Sequence, residues 1–79
     1  MKIKIKYFAS LRETADKTEE TVETNAGTPA ALYDELVARY GFTLEKSILK
    51  AAINEVYAEF DAQLEDGDTV VFIPPVAGG

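Results

Sequence analysis

The stretch from Thr69 to Ile73 offers water no polar face. In an extended chain Val70 and Phe72 share one side, and Val71 and Ile73 share the other. A strand apolar on both sides belongs in the middle of a sheet. It must also stop at residue 73, because Pro74 and Pro75 cannot donate ladder hydrogen bonds. Each proline holds φ near about −65°, which stiffens the exit from the sheet. A central strand needs neighbours, and the strongest candidate is the opposite end of the chain. Lys2 to Tyr7 alternates charge with bulk, placing Ile3, Ile5 and Tyr7 inward and Lys2, Lys4 and Lys6 outward.

The intervening elements follow from local chemistry. Thr18 to Thr24 is β-branched and charged, as an exposed edge strand is. Thr28 is a natural N-cap, Pro29 suits the first helical position, and Gly41 suits the position just past the end. Between them Leu32, Leu36 and Tyr40, flanked by Tyr33 and Val37, make one apolar stripe. Ala51 to Asn54 reads as a strand, Asn54-Glu55 as a turn, and Val56 to Ala58 as a short returning strand. Ala9 to Thr14 is expected to make about one helical turn, with the Arg12 side chain pinning it to a carboxylate or carbonyl. Phe42 to Lys50 carries the apolar anchors Phe42, Leu44, Ile48 and Leu49 but no period. Phe60 and Leu64 are expected to point inward. One helix on a mixed sheet is an α+β two-layer domain. A single helix covers one sheet face, so Val71 and Ile73 lie under loops or form a binding surface.

Composition narrows the chemistry. Seventy-nine residues make one small domain that buries about 60–65% of the surface its unfolded chain exposes. The chain has neither cysteine nor histidine. Disulfides, thiolate metal sites and Ser-His or Cys-His nucleophile pairs are therefore absent. The net charge is −6. Met1 to Lys50 balances, and all the excess lies in Glu55, Glu59, Asp61, Glu65, Asp66 and Asp68. That argues against nucleic acid, which needs a basic face, and suits a basic protein surface. Glu65-Asp66-Gly67-Asp68 reads as a tight turn; its spacing does not fit a twelve-residue calcium loop. No apolar run reaches membrane length, so a cytoplasmic protein without a membrane partner is expected.

After the strand the chain reads Pro74-Pro75-Val76-Ala77-Gly78-Gly79. The last residues have little bulk and suit a narrow channel, and Gly78-Gly79 carries no side-chain chemistry. If this end acts, its reactive group is the terminal carboxylate. This tail and Leu64-Glu65-Asp66-Gly67-Asp68 before it resemble the small, sulfur-carrier subunit of molybdopterin synthase. Tyr7-Phe8-Ala9-Ser10-Leu11-Arg12-Glu13 and Ala51-Ala52-Ile53-Asn54-Glu55 are similar to that family too. The likeness runs nearly the whole length, although 19–26 and 42–50 are undiagnostic.

The resemblance implies a β-grasp, ubiquitin-like fold over residues 1–73, with terminal strands parallel at the centre and a projecting tail at 74–79. It implies that Gly79 is adenylated by an ATP-using, ubiquitin-activating-type enzyme and converted to a thiocarboxylate by a sulfur donor. The sulfur then passes to cyclic pyranopterin monophosphate inside the large synthase subunit. On that reading Pro74, Pro75, Val76, Ala77 and Gly78 insert the tail. Val71, Ile73 and Asp66 hold the large subunit. ATP is used only transiently, and no cofactor or metal is held permanently. Conjugation of Gly79 to a target lysine, or sulfur delivery to another pathway such as the thiamine thiazole, uses the same tail.

Overall fold

The computed structural model describes residues 1–75. Its elements in order are β1 (Lys2–Tyr7), α1 (Ala9–Ala15), β2 (Glu19–Glu23), α2 (Pro29–Tyr40), a 3₁₀ turn (Lys46–Ile48), β3 (Lys50–Ile53), β4 (Val56–Ala58) and β5 (Thr69–Ile73). The sheet order is β2-β1-β5-β3-β4. β5 is the central strand, parallel to β1 with Ile5 opposite Val70 and Tyr7 opposite Phe72. Its other neighbour, β3, is antiparallel, with Ala51 opposite Phe72. Terminal strands side by side in parallel, with a helix crossing one face, are the β-grasp arrangement of ubiquitin.

The alternation in β1 sets the inner layer. Ile3, Ile5, Val70 and Phe72 are fully buried, and Tyr7 nearly so, against Leu32, Tyr33 and Leu36 of α2. The helix begins and ends where its sequence dictates. Thr28 Oγ1 accepts the Ala31 N–H at 3.1 Å. Gly41 turns left-handed at φ 76°, and its N–H donates to the Val37 carbonyl. Aromatic packing completes the core, with Tyr33 tilted on Phe72 at 5.2 Å and stacked on Phe42 at 5.9 Å. The Tyr33 hydroxyl donates to the Leu44 carbonyl, so this buried polar atom is satisfied.

Three expectations are corrected. α1 spans seven residues rather than about one turn, because Leu11 and Ala15, four apart, both bury against the core. Among the described residues the Arg12 side chain makes no hydrogen bond or ion pair. The turn is closed instead by Asp16, left-handed at φ 58°, whose N–H donates to the Arg12 carbonyl. Phe42 and Leu49 anchor the 42–50 connection and Leu44 packs partly, but Ile48 is exposed because the 3₁₀ turn rotates it outward.

Candidate functional site

The site is the outer face of the sheet, where β5 hands over to the tail. Cross-strand register lines up Lys6 of β1, Val71 of β5, Ala52 of β3 and Tyr57 of β4 as one row. Beyond it, Ile73 lies opposite Lys50. Among the described residues no helix covers this side. On its β2–β1 half, lysines face acids: Lys4 Nζ meets Glu19 Oε2 at 2.9 Å, which holds the exposed Glu19 carboxyl below its usual range. The other half is apolar. Ala52, Tyr57, Val71 and Ile73 enclose a shallow groove of about 260 Å³, with Glu55 at its edge. Tyr57 is 75% exposed. Adjacent exposed apolar side chains with a charged margin are the usual mark of a docking surface.

The exit of the tail is built by two segments. Pro74 is buried against the body and Pro75 is exposed. Opposite them β1 ends at Tyr7, and Phe8 is left 47% exposed. The cause is local: Ala9 takes φ 51°, a left-handed conformation rare for a residue with a Cβ, and α1 starts there. Phe8, Ile73, Pro74 and Pro75 together line an open groove. Val76, Ala77, Gly78 and Gly79, assigned by sequence to tail insertion and sulfur carriage, lie outside the described residues.

Of the three residues assigned to partner binding, the structure brings two together. Val71 and Ile73 share the apolar groove. Asp66 precedes β5, at the end remote from the tail, roughly 16 Å along the strand at about 3.3 Å per residue. Its Oδ1 accepts the Lys2 N–H at 2.6 Å. Asp68 of the same turn is also engaged within the fold, accepting from Asn54 Nδ2 and from the Glu65 N–H. Sequence reasoning missed Phe8, Tyr57 and Ala52. The available signals were Phe8 following the inward Tyr7, and the Val56-Tyr57 pair set among Glu55 and Glu59.

One charged cluster lies away from this face. Glu20 Oε2 accepts the Tyr7 hydroxyl at 2.5 Å and the Tyr40 hydroxyl at 2.6 Å. Lys17 and Arg39 approach its other oxygen at 3.5 and 3.9 Å. Burial opposes the charge on Glu20, but the bonds from Tyr40 and Tyr7 and the nearby Lys17 outweigh it and lower its pKa. Burial, then the Glu20 carboxylate, push the Tyr7 hydroxyl far above the ordinary phenol range. A permanently ionised carboxylate and a permanently protonated phenol transfer no proton near neutrality. The cluster ties β1, β2 and the end of α2 together.

A five-stranded β-grasp body with parallel β1 and β5 at its centre and α2 across one face defines a protein of ubiquitin-like fold. The chain belongs to the ThiS family, whose model matches residues 5–79. It is 39% identical over 80 residues to the molybdopterin synthase sulfur carrier subunit of Escherichia coli (strain K12), covering 98% of this chain and 99% of that one. In structure it is similar to a candidate molybdopterin converting factor subunit 1 from Pyrococcus furiosus, with TM-score 0.78, 31% identity, and 96% and 99% coverage. It shares its fold with subunit 1 of the molybdopterin-converting factor of Helicobacter pylori 26695, solved in complex with subunit 2 (TM-score 0.70, 21% identity, both chains covered completely).

Proposed function

We propose that this chain is the sulfur-carrier subunit of molybdopterin synthase and acts through Gly79. The observation that carries this reading is the end-to-end likeness to sulfur carrier subunits of that enzyme, at 39% identity in one case. A family match that runs through residue 79 supports it, because the tail is part of what is shared.

The mechanism assigns each step to what the chain has and lacks. A carboxylate is a poor electrophile, so an oxygen of Gly79 attacks the α-phosphorus of ATP in an activating enzyme and pyrophosphate leaves. Sulfide-level sulfur released by a donor protein then attacks the carbonyl carbon, AMP leaves, and the C-terminus becomes a thiocarboxylate. This chain has no thiol or imidazole of its own, so both steps are borrowed. The tail next enters the large subunit, where its sulfur bonds to a carbon of cyclic pyranopterin monophosphate as an oxygen leaves, and water then cleaves the acyl–sulfur bond and returns the Gly79 carboxylate. The substrate is anionic and the tail carries no cation, so the large subunit supplies the Lys or Arg that holds it. Residues 74–79 form the inserted tail, aimed by Pro74 and Pro75. Gly78 keeps it narrow, and Val71, Ile73, Phe8 and Tyr57 hold the body against the partner. The cycle belongs in the cytoplasm; among the described residues no helix is long and apolar enough to cross a membrane.

The direct test is the mass of the C-terminal tryptic fragment. Ala51 to Gly79 contains neither Lys nor Arg and is released whole. Incubation with activating enzyme, ATP and sulfur donor is expected to exchange one oxygen for sulfur. The fragment has no Met, Cys or Trp to mimic that change by oxidation. A fragment that keeps both oxygens under conditions that load a known carrier rejects the reading. Deleting Gly79 is expected to abolish sulfur transfer and leave the melting temperature unchanged.

A further inference from the structure

An open groove of about 520 Å³ lies between the start of α1 and the end of β5. Its apolar walls come from Phe8, Ile73, Pro74 and Pro75, and Ser10 and Glu13 add polar groups. Glu13 is exposed, and the ion pairs among the described residues use Glu19, Glu20, Glu23 and Asp34 but not Glu13. Arg12 precedes it on the helix but is not among the groove's walls. An exposed aromatic ring and an ionised carboxylate in one apolar slot match a side chain with an apolar stem and a cationic head.

We propose that this groove receives one lysine or arginine side chain of the large synthase subunit as the tail enters it. The Phe8 ring and the Glu13 carboxylate share the charge, and the stem lies on Ile73 and Pro75. The proposal rests on the sulfur-carrier reading and names a contact that reading does not contain. Two observations choose this occupant. Ile73 belongs both to this groove and to the outer apolar patch, so a partner seated on the patch also reaches the groove. Glu13 lines the groove and makes no ion pair among the described residues, so its charge is open to a cation from outside. The contact also fixes the rotation of the carrier about its tail, which a purely apolar patch leaves loosely defined.

Titration calorimetry of the full chain with its purified large subunit tests the proposal. Glu13→Gln keeps the shape and removes the charge; it is expected to weaken binding about fivefold and to flatten the salt dependence. Glu13→Lys is expected to weaken it further. Phe8→Leu, which keeps apolar bulk and removes the ring, is expected to cost about threefold to fivefold. Both positions are exposed, so melting temperatures are expected to match the unsubstituted chain, and they serve as the folding control. Glu13→Gln binding within twofold of the unsubstituted chain, or tighter binding by Glu13→Lys, overturns the proposal. So does a loss confined to the activating enzyme or to self-association. Failure of the unsubstituted chain to bind the large subunit overturns the carrier reading as well, which separates the two failures.

Discussion

The two faces of β5 carry nearly the same side chains and serve different ends. Val70 and Phe72 are wholly buried under α2, whereas Val71 and Ile73, one residue away, are only partly covered. Hydrophobicity is therefore a poor guide to which residue stabilises the fold. What separates the faces is whether the chain supplies its own cover. The inner side chains pack on a helix whose ends are capped by Thr28 and Gly41. The outer ones have no helix over them among the described residues, are buried by the large subunit on the proposed function, and lie in continuity with Pro74 and Pro75.

Substitutions that treat the two faces alike sharpen this contrast. Phe72→Ala removes a fully buried ring and is expected to cost about 3–5 kcal/mol by urea unfolding. That is a large share of the stability of a domain this small. Ile73→Asp on the outer face is expected to leave the urea midpoint close to normal. It is expected to weaken binding to the large subunit by about 2 kcal/mol or more, the scale of an interface hot spot. If Ile73→Asp unfolds the protein as Phe72→Ala does, the division of labour between the faces is wrong.

Glu20→Gln asks whether the inner layer needs its charged clasp. Its loss is expected to cost about 1–2 kcal/mol, because hydrogen bonds to a charged acceptor exceed neutral ones. The sign with pH follows from the lowered pKa of Glu20 in the fold. Its contribution is complete above the ordinary carboxylate value near about 4.3 and is lost as pH falls through the lower folded value. Chemical unfolding between about pH 6 and pH 3 is therefore expected to show a shallower decline in the Gln variant than in the parent; parallel curves would contradict the assignment. The smallest effect is at the β3–β4 turn. Asn54 and Glu55 both take positive φ, at 51° and 72°, where glycine is preferred at the second position. Glu55→Gly is expected to raise stability by about 0.5–1 kcal/mol in thermal melts.

Most of the inner layer was readable from the chain, because period and capping are local signals. The alternation of Lys2 to Tyr7, the Thr28-Pro29 start and the Gly41 stop each dictate a backbone state. The parallel pairing of β1 with β5 came from family resemblance, since the apolar pattern says only that both strands belong near the centre. The outer patch was half legible. Val71 and Ile73 show in the sequence as a surplus of apolar residues for one helix. Tyr57 and Phe8 leave only faint local signals, because their exposure depends on register across three strands and on the left-handed Ala9. Asp66 was read as a partner contact on charge, but nothing in its neighbours in sequence reveals that it caps the Lys2 amide sixty-four residues away.

The central position of the last strand has a consequence for synthesis. On the ribosome the middle of the sheet is among the last parts to emerge. Until it does, β1 and β3 have no common neighbour to pair with. A polypeptide cut short before residue 69 lacks the strand that joins β1 to β3 and cannot close its core. Closure of the sheet therefore waits for the strand from which the tail leaves.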